Sequence, residues 1–367
     1  MANSQAQGPD QSSAVAVGTR VINALIDGGA DEQVIAAAVA EGPDGIARLV
    51  ARYLAFPGKR QYTPREASER AGVDEERART LWRTMGFPLV PEGEKAFTDA
   101  DVEALELSTR LLERAGIDRA VALQQTRTMS QAAARVAFAN QDVIADFTHE
   151  TDLVKRAEEA IDLANETLPA LDRLLVYMYR RHLAAATEQL MLIPGAEGAV
   201  KMSVGFADLA RFTSISRELG AKDLSGLIEG FNAAASDAIV EGGGRIVKTI
   251  GDEVMFSALE PAKAASIALK LLEVVTPDAG YPELRVGLAT GDVVAREGDL
   301  FGPTVNLANR LVVVARPASV LIDGTTRDAL ANDDRFEIKP IPARHLKGLG
   351  RVRPYLLRGG TARLQTR

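Results

Sequence analysis

Three short stretches in the second half of the chain carry side chains suited to nucleotide chemistry. Arg245-Ile246-Val247-Lys248-Thr249-Ile250-Gly251-Asp252-Glu253-Val254-Met255-Phe256 reads as two short apolar strands around a tight Gly-Asp turn. A carboxylate at such a tip points into solvent or at a metal. Lys248 lies four residues before Asp252 and alternates in phase with it, which sends both side chains to one face. A cation beside an anion on a rigid hairpin can read a base edge and hold a phosphate-bound metal. Taken alone, a solvated surface hairpin fits the same residues.

The second stretch, Val204-Gly205-Phe206-Ala207-Asp208-Leu209-Ala210-Arg211-Phe212-Thr213, ends a strand and opens a helix. Asp208 stands at the strand's end, and the backbone N–H groups after it suit a triphosphate at a helix N-terminus. An N-cap aspartate is the plainer reading of the same position. If Asp208 and Asp252 sit on adjacent strand tips, their hard oxygen ligands suit two divalent metal ions, Mg²⁺ or Mn²⁺.

The third stretch runs from Gly298-Asp299-Leu300-Phe301-Gly302 into Pro303-Thr304-Val305-Asn306-Leu307-Ala308-Asn309-Arg310-Leu311. Pro303 starts a helix. Asn306 and Arg310 are four apart and share a face. An amide above a guanidinium suits a ribose oxygen and a phosphorus in transfer.

These stretches need a scaffold of alternating strands and helices, and the pattern from Val200 onward supplies one. It reads as a strand (200–207), a helix (224–240), a hairpin (244–257), a helix (261–275), a hairpin (284–295), a helix (303–314) and a strand (320–322). This is a split βαβ, ferredoxin-like pattern with added elements. The first half is different. Residues 1–13 read as a disordered tail and residues 14–192 as a wholly helical domain. Ile193-Pro194-Gly195-Ala196-Glu197-Gly198 reads as part of a linker over 193–199. The fold class is therefore α+β: a helical N-terminal domain, a ferredoxin-like domain over 200–358 and a tail over 359–367. Leu171, Leu174, Leu175, Met178 and His182 form one helical stripe, either a core face or a dimer seam.

Composition narrows the classes. The chain has 367 residues, 46% hydrophobic and 25% charged, with net charge −7 and no cysteine. Thiol chemistry and disulfides are excluded, and no global basic field draws in nucleic acid or anionic membrane. No apolar run is long enough to span a bilayer, and the polar first residues lack a secretory core, so the expected location is cytoplasmic.

Residues 62–117 resemble the helix-turn-helix of the mercury-resistance-regulator family, with Thr98 capping the third helix. Asp74-Glu75-Glu76 stands where a recognition helix would meet phosphates, which argues for a reused scaffold and against nucleic acid as a partner.

The stronger resemblance covers residues 200–358. Phe206-Ala207-Asp208-Leu209, Lys248-Thr249-Ile250-Gly251-Asp252-Glu253 and Asp299-Leu300-Phe301-Gly302 with Asn306 and Arg310 resemble the catalytic domain of class III nucleotidyl cyclases. The resemblance implies that Asp208 and Asp252 hold the metals, that Lys248 and Asp299 recognise adenine, and that Asn306 and Arg310 orient the ribose and stabilise the transition state. Lys347 resembles the family's triphosphate lysine. A head-to-tail homodimer with sites at its interface is implied as well.

The base-reading pair has its own chemical logic. Adenine offers an acceptor at N1 and a donor amino group at N6, which match Lys248 and Asp299. Guanine reverses that polarity, so ATP is the expected substrate. The whole chain resembles soluble actinobacterial cyclases with an inhibitory helical N-terminal domain, some of them pH-responsive. On that basis His182 and His345 are candidate regulatory groups. Two other functions fit parts of the sequence. One is a transcription regulator whose cyclase-like domain only senses nucleotide. The other is a diguanylate cyclase, whose Gly-Gly-Asp-Glu signature is broken here by Ile250.

Overall fold

The computed structural model describes residues 19–146, 153–191 and 199–360. The expected disordered tail (1–13), most of the linker (193–198) and the last residues of the tail (361–367) lie outside them. The chain divides into two units, with the boundary between Glu188 and Gln189.

The first unit is helical. Helices α1 (Thr19–Asp27), α2 (Glu32–Ala40) and α3 (Pro43–Ala55) bury Val21, Leu25, Ile35, Ile46 and Val50 in one small core. A second core, including Val73, Leu81 and Leu105, is shared by α4 (Pro64–Arg70), α5 (Glu75–Thr84) and α6 (Asp99–Ala115). The starts of α4 and α6 are set by reciprocal capping. Thr63 Oγ1 accepts from Glu66 N while Glu66 Oε2 accepts from Thr63 N, and Thr98 and Asp101 repeat the arrangement. Helix α5 opens with Asp74 as its cap and Glu75 and Glu76 in its first turn.

Two long helices follow, α7 (Arg119–Asp146) and α8 (Leu153–Met191). Ala157 and Ile161 of α8 lie in the core of α1–α3, and Asp162 pairs with Arg20. Beyond Pro169 the picture changes, because every residue from Asp172 to Thr187 is exposed. The stripe from Leu171 to His182 is therefore not a core face of its own chain.

In the second unit one mixed sheet carries the site. Its strands are β1 (Val200–Leu209), β2 (Arg245–Ile250), β3 (Glu253–Ala258), β4 (Leu284–Arg296), β6 (Ser319–Ile322), β7 (Phe336–Pro340) and β10 (Tyr355–Gly359), in the order β2-β3-β1-β4-β6-β10-β7. A short β5 (Asp299–Phe301) pairs with the end of β4, and β8 (Arg344–Leu346) with β9 (Gly350–Val352) makes a separate hairpin. All pairings on the main path are antiparallel except β4 with β6.

Side-chain alternation divides two cores across the sheet. After the one-turn helix α9 (Phe212–Ile215), helices α10 (Ala221–Glu241) and α11 (Pro261–Val274) are faced by Ala207, Leu209, Val254, Phe256, Val286 and Leu288. Val204, Phe206, Met255, Ala289 and Val293 face α12 (Pro303–Val314) through Ala308, Leu311 and Val312. Helix α12 lies unusually close to β4. A Cβ on Gly287 would fall 2.2 Å from Val312 N and 2.4 Å from Ala308 O, so only glycine admits the helix there.

The same packing corrects the expected hairpin over 284–295. Gly291 is not a turn residue. It lies within the continuous strand β4, where a Cβ would fall 2.6 Å from Thr304 Oγ1. Thr304 also donates to Asp292 O at 2.9 Å, which fixes the start of α12 on the strand.

Candidate active site

Asp208 is the penultimate residue of β1 and is 9% exposed. It faces Glu253 of β3 on one side and Arg285 of β4 on the other. Asp252 occupies the turn between β2 and β3, and its carbonyl accepts from Leu209 N at 3.2 Å. The two aspartates thus meet at one end of the sheet, on neighbouring chain segments.

Their electrostatics record this crowding. The Asp252 carboxyl is raised above its usual value, first by burial and further by the negative charge of Asp208. Glu253 is pushed up to about 7, first by burial and then by Asp208 and Asp252. Arg285 offsets part of the charge. Its Nε lies 2.6 Å and its Nη2 2.5 Å from Asp208 Oδ2, and its Nη1 donates to Val313 O at 3.4 Å.

Arg285 was not legible as a site residue. It stands at the start of an apolar strand, and only the Asp208–Arg285 register brings the two together.

These acids fit a hard divalent cation. Two carboxylates repel each other beside a single guanidinium, and an ion between them would relieve that repulsion. Among the described residues no cluster of three or more His, Cys, Asp or Glu could hold a metal. Asp208 and Asp252 are the carboxylates that could hold such an ion, and Mg²⁺ characteristically completes a shell of this kind with substrate phosphates and water.

Lys248 is brought to Asp299 and not to Asp252. The alternation that placed Lys248 in phase with Asp252 stops at Ile250, because Gly251 and Asp252 form the turn and not the ladder. Lys248 Nζ lies 2.5 Å from Asp299 Oδ2, with both side chains half-buried. Asp299 Oδ1 accepts from Leu300 N at 2.8 Å, which orients the carboxylate. The pair joins β2 to β5, elements 51 residues apart.

Asn306 and Arg310 lie one turn apart on α12, Asn306 exposed and Arg310 half-buried. Among the described residues no hydrogen bond or ion pair joins them to Asp208 or Asp252. Lys347 is exposed in the turn between β8 and β9. His345 lies on β8 opposite Arg351 and is exposed. His182 is exposed on α8, in the other unit. No helix among the described residues is long and apolar enough to cross a membrane.

Comparison with known proteins identifies the family. The profile of the adenylate and guanylate cyclase catalytic domain matches residues 196–359. An adenylate cyclase of Streptomyces coelicolor is 37% identical over 334 residues, covering 83% of this chain and 87% of its own. An adenylate cyclase of Glutamicibacter nicotianae is 34% identical, covering 86% and 83%. A pH-sensitive adenylate cyclase of Mycobacterium tuberculosis is 30% identical, covering 86% and 82%. The chain belongs to the class III adenylate cyclase family. These three alignments each extend over more than four-fifths of the chain, and so include residues of both units.

Proposed function

We propose that this adenylate cyclase converts ATP to 3′,5′-cyclic AMP and pyrophosphate at sites shared between two copies of the chain, using two divalent ions. The observation that carries the reading is the Lys248–Asp299 pair, a donor beside an acceptor in a half-buried setting. Lys248 donates to adenine N1 and Asp299 accepts from the N6 amino group. Guanine would set donor against donor and acceptor against acceptor at the same two groups, leaving charges unpaired.

Asp208 and Asp252 would hold Mg²⁺ or Mn²⁺. When bound, the ions lower the pKa of the attacking 3′-hydroxyl and neutralise the leaving pyrophosphate. The bond from O3′ to the α-phosphorus forms as the bond from that phosphorus to the β-phosphate oxygen breaks, and the hydroxyl proton passes to solvent. Asn306 orients the ribose, and Arg310 faces the charge that grows on the α-phosphoryl oxygens. Lys347 and Arg285 contribute positive charge toward the triphosphate.

The site would be completed in a head-to-tail homodimer, in which each chain lends Asn306 and Arg310 to its partner's metal site. The helical unit then controls how the catalytic units meet, with His182 and His345 as the candidate regulatory groups. Cytoplasmic ATP is the natural supply.

The test is incubation of the purified protein with Mn-ATP and with Mn-GTP. Cyclic AMP from ATP, with little cyclic GMP from GTP, is expected. No cyclic product from ATP, or a preference for GTP, would overturn the reading.

A further inference from the structure

Strand β2 carries a β-bulge at Val247. Ile246 pairs with Phe256 and Lys248 with Met255, so Val247 has no partner of its own on β3. The extra residue changes which side chains share a face. In a regular strand Arg245 and Lys248, three apart, would leave opposite faces. Here Arg245 lies opposite Ser257 and Lys248 opposite Met255. Ser257 and Met255 are two apart on β3 and share a face, so Arg245 and Lys248 share it as well.

Both side chains reach the hairpin formed by β4 and β5. Lys248 meets the Asp299 carboxylate, and Arg245 Nη2 donates to Gly298 O at 3.5 Å. Gly298 immediately precedes Asp299. Arg296 pairs with Asp299, which leaves Glu297 and Gly298 as a two-residue loop. Their φ angles are 56° and 79°, the left-handed pair of a type I′ hairpin. Glycine takes such a φ freely, whereas a glutamate is strained there. A strained turn keeps its shape only where its surroundings hold it. Among the described residues β5 ladders with β4 alone, so side chains tie it to β2.

We propose that Arg245 is a positioning residue for base selection: it holds the Gly298 carbonyl and so aims Asp299 at the amino group of the bound base. This rests on the reading of Lys248 and Asp299 as the base-reading pair. Arg245 acts through Asp299 and needs no contact with the substrate. Without it both reading groups remain, but the turn that aims the carboxylate loses its anchor. The loss falls on binding and discrimination, so KM for ATP rises while kcat holds.

The test compares full-length wild type, Arg245→Ala, Arg245→Lys, Asp299→Ala and the Arg245→Ala/Asp299→Ala double variant, each with Mn-ATP and with Mn-GTP. A long hydrogen bond contributes at the low end of the usual range. KM for ATP is therefore expected to rise roughly 2- to 5-fold in Arg245→Ala, with a similar fall in the ATP-to-GTP ratio of kcat/KM. Arg245→Lys keeps a donor and should recover most of that ratio. In the Asp299→Ala background, removing Arg245 should leave the ratio unchanged, because the two residues act as one unit. A fall in kcat for both nucleotides at a constant ratio would make Arg245 merely structural and overturn the proposal. A further fall of the ratio in the double variant would overturn it too. If Asp299→Ala shifts the ratio and Arg245→Ala does not, this proposal alone is lost. If Asp299→Ala leaves the ratio unchanged, the base-reading pair is rejected and the proposal goes with it. Circular dichroism checks folding. Should Arg245→Ala unfold, Arg245→Met takes its place, since it keeps the aliphatic stem and removes the donor.

Discussion

Arg285 donates from both Nε and Nη2 to a single oxygen of Asp208, across the antiparallel pairing of β4 with β1. The guanidinium therefore sits in the carboxylate cluster where a cation is most favoured. It offsets a charge that Asp208, Asp252 and Glu253 would otherwise share alone. Arg285→Gln is expected to destabilise the metal-free protein by roughly 1–3 kcal/mol, since a partly buried charge loses its partner. Saturating Mn²⁺ should recover most of the lost melting temperature. Thermal denaturation with and without the ion checks this, and an equal loss in both conditions would contradict it.

The same cluster makes metal-free stability depend on pH. The Glu253 carboxyl is pushed up from 4.5 to about 7, and Asp252 is shifted in the same direction. The fold thus favours the protonated acid. Its stabilising contribution is complete below pH 4.5 and is lost as the pH rises through about 7. Metal-free wild-type protein is expected to lose melting temperature across that window. Glu253→Gln should lose less, because it cannot ionise. Parallel slopes for the two proteins would show that Glu253 is not the group responsible.

Base selection rests on polarity at two atoms, so removing one should erode discrimination as well as rate. Asp299→Ala takes away the acceptor for the N6 amino group and leaves Lys248 without its 2.5 Å partner. A hydrogen bond to a charged group contributes about 1.5–3 kcal/mol, so kcat/KM for ATP is expected to fall roughly 10- to 150-fold. The ratio of ATP to GTP turnover should fall with it. A lower rate at an unchanged ratio would mean that Asp299 supports the site without reading the base.

Much of the local structure was legible because it depends on local chemistry. Thr98 announces the start of α6, and Pro303 marks the start of α12. Features set by distant contacts were not. Gly291 resembles a turn glycine in the one-dimensional pattern, yet it is small because Thr304 lies against it. Alternation alone set Lys248 beside Asp252, whereas the resemblance paired it with Asp299, and the contact across β2 and β5 follows the resemblance. Arg285 gained meaning only from strand pairing. The stripe on α8 reads in sequence first as a core face, and only its exposure in the structure argues against that.

The central claim is that one copy supplies the carboxylates of a site and the other supplies the asparagine and arginine. Asp252→Asn and Arg310→Ala should each be inactive alone while remaining folded. Mixed in equal amounts and allowed to exchange, they form heterodimers in half the population, each with one intact site and one doubly defective site. The mixture is then expected to regain about a quarter of wild-type cyclic AMP formation. A mixture shown to have exchanged subunits, yet as inactive as either variant alone, would contradict the account.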